Sequence, residues 1–356
     1  MNKVLLISHM PPPTTGIGSW TKRVIDCGVP GWSIGFVNSN MIGGRDPFHK
    51  TRINLKDEIQ RSIGIWSKEL KGLKADEDYR IVHTNIPCTV NGMLRETVTG
   101  AIAKICKRKF IVHCHCTLPN VENTWFKIAV FKLFSTVVDG YIVLNNPSKE
   151  FVERHTNKGV KLIPNFVCEN ELPLKMELNV KKEIKNALFV GGVSPEKGCD
   201  TILEAAKYIP DIDFHLVGVV SDEISKIDLP SNVHLYGNRD KEFVKAMMSN
   251  ADVFLFLSRF YGEGFSVALV EAMANGLPCI VTNWAANADM ILPDGGVVIP
   301  QKSPDSLVRQ LKQMSLDEEM RRKASYANIK KVKDFYISNV VLDLLANFYN
   351  EILREG

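Results

Sequence analysis

The sequence has 356 residues, of which 45% are hydrophobic and 24% are charged, so it can bury a large core and is not intrinsically disordered. Its charge is uneven: residues 1–165 carry 23 Lys and Arg against 13 Asp and Glu, whereas residues 166–356 carry 21 against 27. A basic half suits a phosphorylated ligand, an anionic membrane surface, nucleic acid or ordinary solvated surface, and charge alone does not choose among them.

Targeting signals are missing from the sequence. No apolar run reaches the roughly 18 residues of a spanning helix, and the opening MNKVLLISHMPPP meets prolines too early for a secretory signal. We therefore expect a cytoplasmic protein. Peripheral contact with the cytosolic face of a membrane is the alternative.

Short apolar, β-branched runs alternate with helical patterns along the whole chain, which is typical of parallel sheets covered by helices. Six strands are predicted in the first half, at 3–8, 33–38, 80–85, 109–114, 140–145 and 160–165. After a polar stretch near 166–185, six more are predicted at 186–191, 213–218, 232–237, 252–258, 278–283 and 295–300. The sequence thus predicts two doubly wound α/β units, whose ligands should bind in loops at the carboxyl ends of the strands.

The loop after the first strand reads SHMPPPTTGIGSWTKRV. Gly18 or Ser19 could begin the following helix, and the backbone N–H groups of residues 16–19 could cradle a phosphate. The loop lacks the G-x-G-x-x-G fingerprint, which argues against a dinucleotide.

The strand at 109–114 runs into the sequence HCHC at 113–116. Alternation places His113 and His115 on one face and the two cysteines on the other, so this strand cannot supply four zinc ligands. We expect His115 to face a binding cleft and His113 to be a satisfied interior histidine.

The sequence gives only weak signals for any other metal or redox site. The eight cysteines are scattered without a C-x-x-C pair, which favours reduced thiols. The acidic residues at 76–78 precede a strand, at the wrong edge of the sheet for a ligand, and are expected to form a solvated turn. No metal site is predicted.

The helical pattern at 123–138 is apolar on most faces, with Lys127 and Lys132 as its only charges. Such a helix is usually buried core, and we favour that interpretation. The alternative is a helix that dips its aromatic side chains into a membrane surface near the basic residues 107–109.

In the second half, the loop GVSPEKGCDTILEAA places Lys197 and Gly198 before a helix that Asp200 can cap. A lysine there opposes the helix dipole, and a bound phosphate would remove the conflict. The alternative is a solvated lysine in a turn.

The stretch YGEGFSVALVEAMANGLP sets Glu263 between two glycines and Glu271 inside an apolar helix that Ser266 can cap. The N–H groups of residues 265–267 should point at a ligand. Glu271 follows the cap by roughly 7.5 Å along the axis, so one ligand could reach both. A buried carboxylate needs donors, which ribose hydroxyls or a protein Arg or Lys would supply.

The segments LIPNFV, FVGGVSPEKG, NVHLYGN and ADVFLFLSRFYGEGFSVALVEAMANGLPCIVTN together resemble the family 4 retaining glycosyltransferases. The likeness is strong over residues 160–300 and looser before them. Its most specific element is the E-x7-E motif, matched by Glu263 and Glu271. The resemblance implies the GT-B fold, in which two Rossmann-like domains face each other across a cleft.

The resemblance also assigns domains and site residues. It implies an acceptor-binding domain at 1–170, on which a C-terminal helix at 338–356 can pack back, and a nucleotide-sugar-binding domain at 171–337. The implied catalytic residues are Lys197 on the diphosphate, Glu263 on the transferred sugar and His115 at the sugar–acceptor junction. The implied donor-binding residues are Gly16, Gly18, Gly264, Phe265, Ser266 and, on the ribose, Glu271.

The implied function is metal-independent hexosyl transfer with retention, from a UDP-, GDP- or ADP-sugar to a glycan or lipid-linked acceptor in bacterial-type surface polysaccharide or glycolipid synthesis. No cofactor and no nucleic acid are expected. The family's usual Arg on the diphosphate is replaced by Gly192, and Arg259 and Arg239 are the candidates to replace its charge. The alternatives are a non-catalytic subunit that binds nucleotide or a partner, which Gly192 favours, and a nucleotide-sugar epimerase.

Overall fold

The computed structural model describes residues 2–12, 15–40, 55–121, 123–172 and 180–354. The chain divides into two compact units, one formed by Met1–Asn165 with Ser338–Gly356 and the other by Phe166–Ile337. Each unit contains its own six-stranded sheet. Of the polar stretch predicted near 166–185, residues 173–179 lie outside the described part of the chain.

The sheet of the first unit has the strand order β2-β1-β3-β4-β5-β6, and every neighbouring pair is parallel. Its strands are β1 (Asn2–Ser8), β2 (Trp32–Asn38), β3 (Tyr79–Ile86), β4 (Lys109–Cys114), β5 (Gly140–Val143) and β6 (Gly159–Leu162). Its first six helices are α1 (Gly16–Cys27), α2 (Leu55–Ala75), α3 (Val90–Ile105), α4 (Leu118–Val121), α5 (Trp125–Ser135) and α6 (Asn146–His155).

The second unit repeats this plan with the strand order β12-β11-β10-β7-β8-β9, again parallel throughout. Its strands are β7 (Asn186–Val190), β8 (Asp213–Val217), β9 (Val233–Leu235), β10 (Val253–Phe256), β11 (Cys279–Thr282) and β12 (Gly296–Ile299). Its helices are α7 (Cys199–Ala206), α8 (Lys241–Asn250), α9 (Val267–Ala274), α10 (Asn287–Ile291), α11 (Pro304–Leu316) and α12 (Glu318–Phe335). The prediction of twelve strands in two parallel α/β units is confirmed.

The strands are apolar because helices cover both faces of each sheet. In β4, all residues after Lys109 are buried, and β5 and β10 are buried along their whole lengths. Continuous apolar strands are the form that a parallel sheet buried on both sides requires.

The last helix, α13 (Ser338–Arg354), returns to the first unit. It lies so close to β5 that a Cβ on Gly140 would come within 2.6 Å of Ile352 Cδ1 and 2.9 Å of Phe348 Cζ. Its Tyr349 hydroxyl lies 2.5 Å from His83 Nδ1 on β3. Packing and a buried hydrogen bond therefore both hold α13 on the first sheet.

The helix predicted at 123–138 is observed as α5, and the preference for buried core is correct for only one of its faces. Val130, Phe131 and Phe134 are buried, whereas Trp125 is 81% exposed and Leu133 is 55% exposed. None of the helices in the described part of the chain is both long enough and apolar enough to cross a bilayer.

Candidate active site

Two loops of the second unit meet at the carboxyl edge of its sheet, one after β7 and the other after β10. They bring Lys197 Nζ to 2.6 Å from Glu263 Oε2, and Ser258 Oγ donates a hydrogen bond to the same oxygen at 3.1 Å. The Lys197 ammonium also lies 4.7 Å from the centre of the Phe260 ring. The side chains of Lys197 and Glu263 are 23% and 11% exposed, so the pair is largely desolvated yet open to a ligand.

Gly198 makes this approach of the two loops possible. Its φ is +82°, and a Cβ at this position would lie 2.3 Å from the carbonyl oxygen of Leu257. In the same contact, Arg259 N donates to Glu196 O at 2.9 Å. A side chain at residue 198 would therefore separate the loop of Lys197 from the loop of Glu263.

Arg259 forms a second link between these loops. Its guanidinium donates to both carboxylate oxygens of Asp200, at 3.1 Å and 2.6 Å. The prediction that Asp200 caps the helix is wrong, because α7 begins at Cys199 with Gly198 as its N-cap. The bidentate pair with Arg259 gives the carboxylate a charged partner that no local pattern reveals.

Residues at the end of β11 and just after it hold the loop of Glu263. Thr282 Oγ1 donates to Ser258 O at 2.6 Å, and Trp284 Nε1 donates to Phe260 O at 2.6 Å. The sequence analysis missed these supports, together with Ser258. The sequence TNW, in which an apolar strand ends in polar residues, was the signal that could have found them.

The helix predicted after Glu263 is observed as α9. Ser266 is its N-cap and accepts from Leu269 N at 3.2 Å, as predicted. Gly264, Phe265 and Ser266 are buried where the loop enters the helix.

Glu271 lies on the second turn of α9 but not in the interior. Its neighbours Val270 and Ala272 are fully buried, whereas Glu271 itself is half-buried. The expected enclosure of this carboxylate is therefore only partial.

At the carboxyl edge of the first sheet, His115 belongs to a chain of neutral polar groups. Its Nε2 lies 3.1 Å from Asn85 Oδ1, and Asn85 Nδ2 donates to Ser8 Oγ at 2.8 Å. Ser8 Oγ lies 2.6 Å from Thr21 Oγ1. Because Asn85 presents its oxygen, Nε2 carries the proton and Nδ1 is the acceptor nitrogen of His115.

The indole ring of Trp20 lies next to the rings of three histidines, beside this chain of hydrogen bonds. The ring centre of Trp20 is 4.8 Å from His113, 5.6 Å from His83 and 5.7 Å from His115, and the rings of His113 and His115 are 4.0 Å apart. The predicted common face of His113 and His115 is confirmed. Burial, with the neighbouring histidines, lowers the pKa of His115 to about 3, and burial lowers the pKa of His83 to about 3. The cluster is therefore uncharged at neutral pH.

His113 is interior as predicted, but it is not satisfied. Neither ring nitrogen makes a hydrogen bond to the described protein atoms. The cysteines that alternate with the histidines, Cys114 and Cys116, lie in the apolar core on the other face. Among the described residues, no three His, Cys, Asp or Glu side chains converge in a way that could hold a metal ion. No disulfide joins the eight cysteines, all of which are described.

The glycine loop of the first unit differs from its prediction. α1 begins at Gly16, and its N-cap is Thr15 rather than Gly18 or Ser19. Thr15 accepts from Gly18 N at 3.0 Å through its hydroxyl and from Ser19 N at 2.8 Å through its carbonyl. The predicted phosphate cradle of residues 16–19 is thereby reduced to the N–H groups of Gly16 and Ile17. A Cβ on Gly16 would meet no atom within 4 Å, so this end of the helix is open.

Comparison with known proteins finds a family match over most of the second unit. The family model described as "Glycosyl transferases group 1" matches residues 173–331. The N-acetyl-alpha-D-glucosaminyl L-malate synthase of Bacillus anthracis is 25% identical over 60% of the chain, which spans only 58% of that relative. The UDP-Gal:alpha-D-GlcNAc-diphosphoundecaprenol alpha-1,3-galactosyltransferase of Escherichia coli is 26% identical, with 74% of the chain and 77% of the relative covered.

Solved structures share the fold at low sequence identity. The Anabaena protein HepE in complex with UDP-glucose superposes with a TM-score of 0.73 at 14% identity, covering 99% of the chain and 100% of HepE. The predicted GT-B fold class is confirmed by this likeness and by the two parallel sheets.

Proposed function

We propose that the chain, which belongs to the group 1 glycosyl transferases, is a retaining enzyme. It moves a sugar from a nucleotide-diphosphate sugar to a hydroxyl of a glycan or lipid-linked acceptor. The observation that carries the proposal is the Lys197–Glu263 pair, which lies at the ligand-binding edge of the second sheet and inside the family match. The name of the Escherichia coli relative supports a UDP-sugar donor and a diphosphoundecaprenol-linked acceptor. In this proposal the product is a surface polysaccharide or glycolipid.

Lys197 is the cation for the leaving diphosphate in this proposal. As the bond to the sugar breaks, negative charge grows on the phosphate oxygens, and a preformed cation in a largely water-excluded loop stabilises it. Glu263 holds the ammonium in place before the donor binds. In the complex, the same carboxylate accepts hydrogen bonds from hydroxyls of the transferred sugar.

The start of α9 and Glu271 complete the donor site. Gly264, Phe265 and Ser266 lead into a helix whose dipole favours negative charge at this end, which suits a phosphate. Glu271, about 7.5 Å further along the axis, accepts from the ribose hydroxyls. Its half-buried position leaves the carboxylate within reach of a ligand.

The cation missing at Gly192 has two candidate replacements, Arg239 and Arg259, which have different neighbours. Arg239 donates Nε to Tyr236 O and lies 5.2 Å from the Phe243 ring centre. Arg259 instead links the loops that carry the catalytic pair. We therefore assign Arg259 the supporting role: it positions Lys197 through Asp200 and the backbone of Glu196, and it adds positive charge beside the diphosphate.

His115 serves the acceptor side as a neutral group. With a pKa of about 3 it carries no charge at neutral pH, so it orients a hydroxyl by hydrogen bonding rather than by attraction. The first unit is the acceptor-binding domain in this proposal, and Gly16 lies at the open N-terminal end of its helix α1. No metal is required, since Lys197 supplies the cation.

The proposal is tested by screening the full chain against UDP-, GDP- and ADP-sugars for thermal stabilisation and slow donor hydrolysis. At 100 times its dissociation constant, a true donor stabilises the protein by about 2.7 kcal/mol. Glu263→Ala should keep nucleotide-dependent stabilisation, because Glu271 and the start of α9 remain, but it should lose hydrolysis. If no nucleotide sugar binds, the enzyme assignment fails.

Two other results would point to the alternatives. Binding without hydrolysis or transfer to any acceptor would identify the non-catalytic subunit that Gly192 favours. Interconversion of the sugar without an acceptor would identify an epimerase.

A further inference from the structure

The first unit exposes its large hydrophobic side chains on three helices only, within the part of the chain that the structure describes. Nine such residues are exposed there, and all lie on α2, α3 or α5. They are Leu55, Ile59 and Ile63 on α2, Leu94, Val98 and Ile105 on α3, and Trp125, Phe126 and Leu133 on α5. We call these nine residues, with the exposed lysines between them, the apolar-basic face.

The three helices are neighbours, so their exposed residues form one surface. α2 packs on α3, and α3 packs on α5. On α2 the exposed apolar residues recur every four positions, and on α3 Leu94 and Val98 are also four apart, which keeps each set on one side of its helix. Contiguous exposed apolar surface of this kind marks a binding site in soluble proteins.

Basic and acidic side chains on these helices differ in their exposure to solvent. The exposed charged residues are lysines: Lys56, Lys68, Lys71, Lys74, Lys104 and Lys132. The acidic residues are at least half-buried, and Glu58 and Glu96 pair with Arg95. Lys104 pairs with Asp139. The apolar-basic face therefore meets solvent with positive charge and no exposed acid on its helices.

Aromatic residues stand at one end of this face. Trp125 and Phe126 open α5 directly after its N-cap, Thr124, and are 81% and 53% exposed. Tryptophan favours the boundary between headgroups and hydrocarbon, because its ring is apolar and its N–H is polar. Burying it there removes a large apolar area from water.

We propose that the apolar-basic face docks the first unit on a bilayer that contains anionic lipids. The apolar side chains enter the headgroup boundary and the lysines attract the lipid phosphates. Protein interfaces are depleted of lysine at their centres, so lysines placed among the exposed apolar residues fit a lipid surface better than a second protein. The proposal goes beyond sugar transfer, since docking requires neither donor nor acceptor.

The test is flotation of the purified full chain with vesicles of phosphatidylcholine, with and without phosphatidylglycerol. We expect binding only when phosphatidylglycerol is present, and weaker binding at high salt. Lys71→Glu with Lys132→Glu should weaken binding by at least tenfold, because each lysine near an anionic surface contributes about fivefold. Trp125→Ser with Phe126→Ser should weaken it by about tenfold or more.

A matched control comes from the second unit. Tyr208 and Leu316 are 58% and 90% exposed there, so Tyr208→Ser with Leu316→Ser removes comparable exposed apolar surface. This control should bind vesicles like the wild-type protein. Brominated lipid should quench tryptophan fluorescence in the wild-type chain and fail to do so in Trp125→Phe.

Several results would overturn the proposal. Absence of flotation with any vesicle would refute it directly, whatever the outcome of the donor screen. Equal weakening by the control and by Trp125→Ser with Phe126→Ser would show that the effect is not specific to this face. A dimer in sedimentation that the apolar-basic substitutions abolish, without vesicle binding, would assign the face to a second copy of the chain.

Discussion

The carboxyl edges of the two sheets are built on the same strand pattern but differ in charge. In the second unit, Lys197, Glu263 and Arg259 form ion pairs on loops that stay partly exposed. In the first unit, the corresponding edge holds neutral histidines packed around Trp20. The second unit thus has a charged edge formed by these ion pairs, whereas the neutral edge of the first unit is only the part around Trp20.

Burial explains the difference. The Lys197–Glu263 pair retains some contact with water, and each of its two groups has an oppositely charged partner at 2.6 Å. His113 is fully buried with two unpaired ring nitrogens, and burial, with the nearby His115 and His83, holds its pKa well below the usual range. A charge in that position would be desolvated without a partner.

Removal of the Lys197 charge should have the largest effect on the charged edge. Lys197→Ala should lower kcat by about 10³, which is the loss expected for a main donor to the developing charge. Lys207→Ala is the matched control, because Lys207 also pairs with a glutamate at 2.6 Å but on the exposed surface. Transfer assays should show normal rates for the control. A near-normal rate in Lys197→Ala would remove the role proposed for this residue.

Gly198→Ala should destabilise the second unit by about 3 kcal/mol, because the new Cβ meets a backbone oxygen and the residue has positive φ. Gly237→Ala separates the steric clash from the backbone strain, because Gly237 has φ +66° but open space around a Cβ. It should destabilise by only about 1 kcal/mol. Urea unfolding measures both, and equal losses would contradict the close approach of the two loops.

The neutral edge should be sensitive to acid. His83 and His115 have folded pKa values of about 3, so below pH 6.5 the unfolded chain binds more protons than the folded one and stability falls until about pH 3. At pH 5, each of these two histidines should lower the free energy of unfolding by roughly 2 kcal/mol relative to neutral pH.

Calorimetry between pH 7 and pH 4 measures this loss of stability. The His113→Leu variant tests whether the histidine cluster causes it. This variant removes a proton-binding site and two unpaired buried nitrogens. It should therefore reduce the acid sensitivity without destabilising the protein at pH 7. Unchanged acid sensitivity would show that the histidine cluster does not govern it.

Arg259→Lys should have a smaller effect than loss of Lys197. Lysine keeps the charge but cannot make the bidentate contact with Asp200, so we expect about a tenfold loss in kcat with little change in donor affinity. Arg239→Lys is the control and should be neutral. If both arginine variants behave alike, Arg259 does not position the catalytic loop.

Removal of divalent metal ions with a chelator should have the smallest effect on the rate of transfer. If Lys197 is the cation on the diphosphate, transfer should continue at the same rate in EDTA. Loss of activity in EDTA with recovery on adding a divalent metal would show that the charged edge works with a metal ion.

The sequence by itself determined the twelve strands, the Ser266 cap and the common face of His113 and His115. These features follow from local periodicity and from capping chemistry, which act over a few residues. The E-x7-E and EKG segments likewise marked the charged edge. Their loops follow β10 and β7, neighbouring strands of the second sheet, so their residues meet.

Only the tertiary structure decided which partner each polar group finds. Asp200 bonds Arg259 across 59 residues while Gly198 is the N-cap of α7, and Glu271 lies at a half-buried position of an apolar helix. It also decided that α5 buries one side and exposes Trp125 and Phe126 on the other. Such outcomes depend on which element packs against which, because burial and long-range pairing are properties of the assembled chain rather than of any local pattern.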